Sequence, residues 1–515
     1  MSYILAIDNG STGVRAILVD KQGNIVTREY ERTPAIYPKV GYIENDPNLL
    51  WGSLLTVCRR IFQKPNFSPT DIAAIGICTQ RATFTLWEKA TGIPIMNFIS
   101  WADIRSNETC SAMNKNKIWR IFKKFAWITS RITRNTMLTA TTMYKFLPSH
   151  VTVRLKWALD NIDGLRERCK NGEIAYGTLD SWFIYKLTGG KVHATDYSNA
   201  ATGMLNPFQL KWNSPLMRIF SIPKEILPEL KGTSDNFGVT DPSLFNGVKI
   251  PIRAAAGDQQ AALFGQCCFK PGDVKITQGS GAFVSMNVGK KGKLSKRGLF
   301  PLVAWVINQK PTYMLEGHIA AAGTLIDWLG QGIGLSDNPK VLNKLASQCD
   351  DSEGVIFIPT PSGIQFPYFS PKTKATILGL SLETQRKHVA RAVFEGLALR
   401  IVDILEGLEK DIKIQIRSIK ADGGVSQSDI LLQCISDFAN LYVNRAPEPD
   451  MTATGVAYLA GLGIDFWKDL EELELIRANQ PSKIFQPQID ELKRHERIVR
   501  WNKALKVVLS FDKNK

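Results

Sequence analysis

The sequence of 515 residues predicts an α/β fold class built from two halves. Strand and helix signals alternate along the chain, which is typical of this class. One pattern occurs twice: an apolar strand, an acidic turn and a turn rich in Gly, Ser and Thr, first near residue 8 and again near residue 258. No similarity of residue sequence accompanies this repeat, so it indicates a shared architecture at most. We place the boundary after residue 266, which gives domains of residues 1–266 and 267–515.

The N-terminal domain opens with two predicted strands joined by a turn. Residues 3–7 are a continuous apolar run, residues 8–13 are dense in turn-forming residues, and residues 15–19 resume the apolar run. Residues 48–62 carry apolar residues at helical spacing, and residues 72–78 have the composition of a strand. The start of the chain therefore predicts a strand pair, a helix and a further strand.

The same alternation continues in the rest of the chain. Residues 252–256 predict a strand, residues 258–264 a helix and residues 273–277 a second strand. An extended run over residues 414–421 precedes another predicted helix. Residues 490–509 predict a basic amphipathic helix that packs on the C-terminal domain.

Composition predicts a soluble globular protein. The chain has 64 Lys and Arg against 48 Asp and Glu, a net charge of +16, and a hydrophobic fraction of 44% that suffices for sizeable cores. No apolar run reaches the roughly 18 residues that a membrane span needs. The N-terminus lacks the basic leader and cleavage site of a secretory signal. We therefore expect a cytoplasmic protein without a transmembrane segment.

The cysteines and histidines predict neither a disulfide framework nor a structural zinc site. None of the eight cysteines forms C-x-x-C, and the five histidines have no ligand spacing. The adjacent residues Cys267 and Cys268 are interpreted as two small buried apolar residues. A redox-active pair is the less common alternative.

The positive charge is concentrated in residues 113–157, the basic segment. It holds ten basic residues, no acidic residue and four interleaved aromatic side chains. One interpretation is a patch that touches an acidic surface, either nucleic acid or a lipid headgroup. We favour a solvated helix face whose aromatic side chains anchor it to the domain, because no nucleic-acid-binding motif accompanies the charge. The basic residues are Lys115, Lys117, Arg120, Lys123, Lys124, Arg131, Arg134, Lys145, Arg154 and Lys156, and the four aromatic residues interleaved with charges are Trp119, Phe122, Phe125 and Trp127.

Three glycine-rich loops are candidate phosphate sites: residues 8–13, 278–281 and 421–425. Each leaves backbone N–H groups available in a tight turn, and the third precedes a predicted helix whose N-terminus favours an anion. Asp8 follows a buried strand and is placed to hold a hydrated Mg²⁺. Taken singly, each loop is more often an ordinary turn. Neither a P-loop nor a full G-x-G-x-x-G motif occurs.

Asp258 is a candidate general base. It follows an apolar strand directly, where its carboxylate could accept a proton from an attacking hydroxyl. Phosphoryl transfer needs little beyond such a base, in-line positioning and neutralisation of charge. An ordinary turn aspartate is the alternative, and spacing alone does not decide between them.

Several ordered stretches of the chain resemble the FGGY carbohydrate kinases, specifically the glycerol kinase subfamily. The resemblance runs from about residue 3 to residue 505, and three stretches, residues 80–84, 351–355 and 362–365, look like the divergent glycerol kinase 5 branch. So many blocks in one order make chance resemblance implausible. The blocks that match the family are residues 6–12, 74–81, 176–182, 194–200, 257–265, 422–424 and 457–462.

The resemblance implies two actin-like (ribonuclease H-like) ATPase domains that close on an interdomain active-site cleft. The family transfers the γ-phosphoryl group of MgATP to a hydroxyl of a polyol or sugar, so it implies ATP and Mg²⁺. Asp258 matches the general base, and Asp8 and Asp258 match the residues at the metal. The positions that match polyol contacts are Arg81, Trp101, Asp258, Gln259 and Phe283. Those that match nucleotide or phosphate contacts are Ser11, Thr12, Arg15, Gly279, Ser280, Gly323, Gly424 and Ser428.

The chain departs from the glycerol kinase pattern at four positions. Ala82 stands where those enzymes have a Glu that accepts hydrogen bonds from glycerol, and the Tyr that they have for glycerol is missing near Ser149 and His150. Asp327 and Ser428 replace amides at the nucleotide end. Unpaired substrate hydroxyls weaken discrimination in a buried polar site.

Three functions follow in order of preference. The first is phosphorylation of glycerol to glycerol 3-phosphate. The second keeps the chemistry but takes another small polyol or sugar, because of Ala82. The third is a non-catalytic scaffold that binds nucleotide or a partner protein. A homo-oligomer is compatible with all three, and no nucleic acid partner is expected.

Overall fold

The structure is a computed structural model that describes residues 2–133, 136–449 and 451–511. Its internal contacts separate the chain into two compact units. The first comprises Met1–Gly265, Leu302–Thr312 and Thr452–Ile476, and the second comprises Gln266–Pro301, Tyr313–Met451 and Arg477–Lys515. Two segments beyond residue 266 therefore group with the first unit. The domain boundary after residue 266 stays a prediction.

Strands and helices alternate along the described chain, which confirms the predicted α/β class. The strands are β1 (Tyr3–Asn9), β2 (Gly13–Val19), β3 (Ile25–Arg32), β4 (Glu44–Asn45), β5 (Ile72–Thr79), β6 (Phe84–Glu88), β7 (Phe98–Ile99), β8 (Ile174–Thr178), β9 (Ala194–Asp196), β10 (Leu205–Asn206), β11 (Lys211–Trp212), β12 (Glu229–Lys231), β13 (Ile252–Gly257), β14 (Asp273–Gln278), β15 (Ala282–Gly289), β16 (Phe300–Ile307), β17 (Lys310–Ile319), β18 (Ile356–Ile358), β19 (Thr376–Leu378), β20 (Ser418–Asp422), β21 (Val443–Arg445) and β22 (Lys483–Phe485). The helices are α1 (Pro47–Phe62), α2 (Asn107–Lys115), α3 (Lys117–Thr133), α4 (Thr136–Met143), α5 (Val151–Asn161), α6 (Leu165–Lys170), α7 (Leu179–Leu187), α8 (Tyr197–Ala200), α9 (Ser214–Phe220), α10 (Asp258–Gly265), α11 (Gly323–Gln331), α12 (Pro339–Ala346), α13 (Arg386–Ile412), α14 (Asp429–Ala439), α15 (Met451–Leu462), α16 (Leu470–Asn479) and α17 (Glu491–Phe511).

The main sheet of the first unit has the strand order β13-β5-β1-β2-β3. Strands β13, β5 and β1 run parallel, whereas β1, β2 and β3 form an antiparallel meander. The predicted strand pair at the start of the chain is thus confirmed. Cys78 of β5 pairs with Asp8 on one side and with Ala256 on the other. The carboxyl ends of the three parallel strands therefore coincide at one edge of the sheet.

The parallel strands of this sheet are covered on their faces, as buried parallel sheets require. Their central side chains, such as Ile7 and Ile77, are fully buried. Helix α15 lies so close to β5 that a Cβ on Gly76 would stand 2.4 Å from the carbonyl oxygen of Val456. Only glycine fits there, and this contact explains why residues far along the chain belong to the first unit.

Local signals explain where the predicted helix α1 begins. The Asp46 carboxylate accepts a hydrogen bond of 2.8 Å from the backbone N–H of Asn48, and Pro47 occupies the first helical position. Both features are typical of a helix N-terminus. Leu50, Leu54 and Val57 then lie on the buried face. The prediction of a helix over residues 48–62 is confirmed.

The main sheet of the second unit has the strand order β15-β14-β20-β21-β22, and residues 313–319 of β17 pair with β15 on its other side. Strands β14 and β20 of the second unit are parallel, and β15 returns antiparallel to β14. Helix α17 confirms the predicted C-terminal basic helix. Within the second unit, Arg497 of α17 donates hydrogen bonds to Asp351 at 3.0 Å and to Glu395 at 2.9 Å.

The adjacent cysteines are buried, as predicted. Cys267 is 2% exposed and Cys268 is 0% exposed. Burial raises the pKa of Cys268 to about 12, so its thiol stays protonated at neutral pH.

The basic segment is only in part the solvated helix face, anchored by aromatic side chains, that we predicted. Trp119 is buried and Phe122 packs against the core, so these two aromatic side chains do anchor α3. Phe125 and Trp127, however, are 64% and 53% exposed, so the prediction that they are anchors is wrong. Arg154 is 0% exposed and is not on a solvated face. The basic residue at position 134 lies outside the described residues.

The helices of the described chain lie within residues 2–133, 136–449 and 451–511. Within those ranges, none of the helices combines the length and the apolar character that crossing a membrane requires.

Candidate active site

The carboxyl ends of β1, β5 and β13 bring several predicted site residues to one edge of the first unit. Asp8 lies at the end of β1, Arg81 follows β5 after Gln80, and Asp258 follows β13 directly. The register aligns Asp8 with Cys78 and Gly257 with Thr79. Open α/β sheets bind their ligands at this edge. The structure thus unites residues separated by about half the chain.

Asp258 is the first residue of α10, and its side chain is 27% exposed. One carboxylate oxygen, Oδ1, accepts a hydrogen bond of 2.8 Å from the backbone N–H of Gln259. The Nε of Arg81 lies 3.4 Å from the same oxygen. The Gln259 side-chain amide donates to the other oxygen, Oδ2, at 3.3 Å. These contacts orient the carboxylate while leaving part of it open to a ligand.

Asp8 is held by a second group of polar contacts. The thiol of Cys78 donates to Asp8 Oδ1 at 3.4 Å, and Nη1 of Arg15 lies 3.9 Å from Asp8 Oδ2. Burial raises the pKa of Cys78 well above its ordinary value, and the charges of Asp8 and Asp258 raise it further. Asp8 and Asp258 stand at the same edge of the sheet, because β1 and β13 flank β5 and run parallel to it.

The turn between β1 and β2 presents two hydroxyls. Ser11 donates to Gln80 Oε1 at 3.0 Å, and Thr12 accepts from the Tyr30 hydroxyl at 3.2 Å. Both residues are exposed, and the turn is closed by a hydrogen bond of 3.1 Å from Gly10 N–H to the carbonyl of Gly13. The loop is thus preformed, with side chains directed to solvent.

Trp101 lies near this turn, and a buried ion pair follows it in the chain. Arg105 donates to both carboxylate oxygens of Asp103, at 2.8–3.0 Å, and to Glu44 at 2.7 Å. Asp103 in turn accepts from the backbone N–H of Ile43 at 2.6 Å. The indole Nε1 of Trp101 donates to Ser11 Oγ at 3.4 Å, and its ring is 43% exposed. The W-x-D-x-R pattern thus combines an internal ion pair with an aromatic side chain that contacts the first loop.

Ala82 adopts a left-handed backbone conformation with a φ of 62°. Its carbonyl accepts a hydrogen bond of 2.7 Å from Nη2 of Arg154, which also donates to the carbonyl of Ser149 at 2.6 Å. The other terminal nitrogen, Nη1, donates to the carbonyl of Ser100. Burial lowers the pKa of Arg154 to about 10. Arg154 thus ties together the three segments that carry Ala82, Trp101 and Ser149.

The hydroxyl of Tyr144 lies in the region beside Ser149 and His150. The Tyr144 hydroxyl lies 3.1 Å from Nδ1 of His150, and burial raises the pKa of Tyr144. Burial, followed by the positive charge of Arg154, lowers the pKa of His150 to about 4. His150 is therefore neutral at physiological pH. The nearest tyrosine to Ser149 in sequence is engaged with this imidazole.

The second unit brings together the second and third glycine-rich loops. The carbonyl of Ser280 accepts a hydrogen bond of 2.8 Å from Ala322 N–H, and the carbonyl of Gly279 accepts one of 3.0 Å from Gly323 N–H. A Cβ on Gly323 would lie 2.7 Å from the Gly279 oxygen and 3.2 Å from Val425. Gly279, Ser280 and Gly323 therefore meet the turn that contains Gly424 at the N-terminus of α11.

Ser428 and Phe283 also belong to the second unit. Ser428 caps α14, because its hydroxyl accepts a hydrogen bond of 3.2 Å from Leu431 N–H, and it also contacts Asn343. Phe283 lies in β15 and stacks on His318, with ring centroids 5.7 Å apart. The helix predicted to start near Ser428 is confirmed, whereas the binding roles of both residues stay predictions.

Asp196 supports the segment before Asp258, although no functional role was predicted for it. Asp196 is fully buried and accepts hydrogen bonds from the Ser198 hydroxyl at 3.0 Å and from Asn199 N–H at 2.9 Å. Burial raises the pKa of Asp196 to about 7. Ser198 Oγ accepts a hydrogen bond of 2.8 Å from Gly257 N–H, directly before Asp258. Its signal in the sequence is an aspartate at the end of a short strand within a matched block.

Asp8 and Asp258 are the candidate metal ligands of the site. Among the residues that the structure describes, His, Cys, Asp and Glu form no group of three or more able to hold a metal ion. Asp8 and Asp258 nevertheless supply oxygen atoms at one edge. Mg²⁺ commonly binds through one or two carboxylates together with substrate phosphates, so this donor set fits that ion.

Comparisons with known proteins cover the whole chain. The N-terminal domain model of the FGGY family of carbohydrate kinases matches residues 3–265, and the C-terminal domain model matches residues 274–464. A glycerol kinase of a Thermoanaerobacter species is 40% identical over 510 residues, covering 99% of each chain.

Solved structures agree with this relationship. The crystal structure of Plasmodium falciparum glycerol kinase with ADP matches with a TM-score of 0.89 and 28% identity, covering 99% of this chain and 98% of that one. A gluconate kinase from Lactobacillus acidophilus matches with a TM-score of 0.84, 22% identity and full coverage of both chains, which shows a shared fold.

Proposed function

Because the chain belongs to the FGGY family of carbohydrate kinases, we propose that it transfers the γ-phosphoryl group of ATP to a hydroxyl of glycerol, forming glycerol 3-phosphate. Glycerol kinases that align with almost the entire chain at about 40% identity support this acceptor. The observation that carries the chemistry is the oriented carboxylate of Asp258 at the sheet edge that also carries Asp8. We further infer a cytoplasmic location, where ATP and small polyols are solutes.

We assign the role of general base to Asp258. As the acceptor oxygen bonds to the γ-phosphorus, its proton passes to the Asp258 carboxylate, and the bond between the γ-phosphorus and the bridging oxygen breaks to release ADP. The contacts from Gln259 N–H and Arg81 fix Oδ1, while Oδ2 accepts one hydrogen bond from the Gln259 amide and keeps a second lone pair for the hydroxyl. Arg81 and the Gln259 amide are also close enough to Asp258 to bind an acceptor held there.

Asp8 and Asp258 would hold Mg²⁺ together with the phosphates. When bound, the ion neutralises charge that develops on the transferred group. Ser11, Thr12 and Arg15 contribute hydroxyl and guanidinium donors at the first loop, where both hydroxyls face solvent. Such donors position anionic oxygens by charge-assisted hydrogen bonds.

In the second unit, backbone groups of the paired loops form the proposed nucleotide site. Gly279 has no atom within 4 Å of an added Cβ, so a ligand can approach the turn closely. Ser280, Gly323 and Gly424 surround the same turn through the contacts described above. Ser428 contributes by capping α14, which fixes the end of that loop. Trp101 and Phe283 are assigned to the carbon backbone of the acceptor.

A different small polyol or sugar is the second candidate acceptor. Ala82 replaces the Glu that contacts the acceptor in glycerol kinases, and the Tyr that those enzymes have for glycerol is missing near Ser149 and His150. A site with fewer hydrogen-bond acceptors discriminates less against other alcohols. The assignment to the glycerol kinase 5 branch and a homo-oligomeric state are retained as predictions.

The direct test measures ADP release from purified protein with MgATP and a panel of polyols and sugars. We expect turnover with glycerol, and we expect Asp258→Asn to lower kcat about a thousandfold, the range of a lost general base. Asp163→Asn, a change at an exposed aspartate outside the site, is the matched control and keeps full activity.

The other outcomes distinguish the alternatives. Turnover with another alcohol but not with glycerol would establish the second acceptor class. ATP binding by calorimetry, without turnover of any acceptor, would assign the chain to a non-catalytic scaffold. Unchanged kcat in Asp258→Asn would remove the assignment of the base.

A further inference from the structure

Helix α3 has one face directed into the first unit. Trp119 is 4% exposed and Ala126 is 0% exposed. The Trp119 ring packs against Phe146 with centroids 4.8 Å apart and against Phe122 at 5.9 Å. Lys123 follows this inner side, because its Nζ donates to the carbonyl of Tyr144 at 3.0 Å. These contacts fix the rotation of α3 about its axis.

A second apolar face of α3 is directed to solvent. Its side chains recur at alternating intervals of three and four residues, so they form one continuous stripe along the helix. They are among the most exposed large apolar side chains of the described chain. The apolar stripe consists of Ile118 (69% exposed), Ile121 (66%), Phe125 (64%), Ile128 (52%) and Ile132 (78%).

A row of basic side chains runs directly beside the apolar stripe. Lys117, Arg120, Lys124 and Arg131 each precede one member of the stripe by one residue, which places them about 100° away around the helix. All four are exposed, and no ion pair joins any of them to a carboxylate within the described residues. The basic segment contains no acidic residue. We call these four residues the basic row.

We propose that α3 lies flat on an anionic lipid surface, with the apolar stripe in the acyl boundary and the basic row on the phosphate headgroups. A helix with a strong apolar face, a basic polar face and little net hydrophobicity is suited to this interface. Lys and Arg beside such a face reach the headgroups with their charged ends while their stems stay apolar. Lying on the surface requires no membrane-crossing helix.

Charge complementarity selects this partner over two others. Nucleic acid would engage the basic row but would leave five large apolar side chains in water. A second copy of the same helix would cover the stripe, but it would bring two basic rows together without an acidic residue in residues 113–157 to oppose them. An anionic bilayer satisfies both faces at once.

The test is flotation of the full-length protein with vesicles of phosphatidylcholine alone and with vesicles that contain about one third phosphatidylserine. We expect binding to the anionic vesicles at low salt, and at least about tenfold weaker binding to the neutral ones or at high salt. Ile121→Ser with Phe125→Ser, and separately Arg120→Gln with Lys124→Gln, should each lower binding about tenfold.

Matched controls separate a specific loss of vesicle binding from unfolding and from non-specific adsorption to the vesicles. Leu382→Ser with Leu492→Ser removes two apolar side chains that are 107% and 83% exposed elsewhere, and it should leave vesicle binding unchanged. Lys468→Gln serves the same purpose for charge. The Arg120→Gln and Lys124→Gln variant changes exposed polar side chains only, so unaltered circular dichroism and thermal unfolding are expected.

Three outcomes would overturn the proposal. The first is equal or no binding of the wild-type protein to the two vesicle types. The second is vesicle binding that survives both α3 variants. The third is a dimer in light scattering that dissociates when the apolar stripe is changed, since the stripe would then belong to a second copy.

Discussion

Helices α3 and α5 both include residues of the basic segment, yet their cationic side chains lie in opposite environments. In α3, Arg120 and Lys124 are exposed beside an apolar stripe. In α5, Arg154 is fully buried and donates hydrogen bonds to backbone carbonyls of three segments of the candidate active site. Charge counted along a sequence therefore does not measure charge on a surface. The rotation of each helix and the carbonyl groups that face it decide where a cation lies.

The strongest test of this comparison replaces Arg154 of α5 and Arg120 of α3 by lysine, in two separate variants. Arg154→Lys keeps the charge but offers fewer donors in a fixed plane, so some of the carbonyls of Ala82, Ser100 and Ser149 lose their partners. Unsatisfied buried carbonyls cost about 1–3 kcal/mol, so we expect a loss of roughly 2 kcal/mol in the free energy of unfolding. Urea denaturation measures it.

Arg120→Lys is the matched control from the same segment. Arg120 is exposed, and a conservative exposed change should alter the free energy of unfolding by less than about 0.5 kcal/mol. A similar loss in both variants would show that Arg154 is no more structural than Arg120. The Arg154→Lys variant should also raise the KM for the acceptor more than it lowers kcat, because the segments it joins carry proposed binding residues.

Much of the fold was predictable because local signals agreed with the tertiary structure. The apolar run at residues 3–7, the helical spacing at residues 48–62 and the strand at residues 72–78 each became the expected element. Asp8 and Asp258 were identifiable as candidates because each directly follows a buried apolar run in the sequence. Their proximity follows from the parallel pairing of β1, β5 and β13, which the sequence alone did not reveal.

Other features depended on contacts between distant segments. The burial of Arg154 depends on the carbonyl of Ala82, 72 residues away in the chain. The exposure of Phe125 and Trp127 depends on which face of α3 Trp119 occupies. The role of Asp196 depends on Ser198 reaching Gly257. None of these partners is adjacent in sequence, so composition and spacing could not identify them.

A smaller effect tests whether the acceptor binds beside Ala82, whose carbonyl accepts a hydrogen bond from Arg154. Ala82→Glu restores a carboxylate next to Arg81, and a new hydrogen bond from a glycerol hydroxyl is worth about 1–1.5 kcal/mol. We therefore expect the KM for glycerol to fall about tenfold. Ala82→Gln provides a neutral side chain of the same size and should give a smaller decrease. An unchanged KM in both variants would mean that the acceptor lies away from Ala82.

The smallest effect concerns His150, which lies at the start of α5 beside Tyr144. Burial and the charge of Arg154 lower its pKa to about 4, against an ordinary value near 6.5. Between these values the unfolded chain binds a proton that the folded protein does not, so stability falls as the pH drops through this window. His150→Asn keeps an acceptor for Tyr144 but does not titrate.

We expect the wild-type protein to lose about 1 kcal/mol more than His150→Asn between pH 7 and pH 5.5, measured by urea unfolding at both values. Asp196, whose pKa burial raises to about 7, contributes an opposite trend in that range. Because Asp196 is present in both proteins, the difference between them isolates His150. Identical losses would show that solvent reaches the imidazole, and the start of α5 would then resemble exposed α3 rather than a buried support of the site.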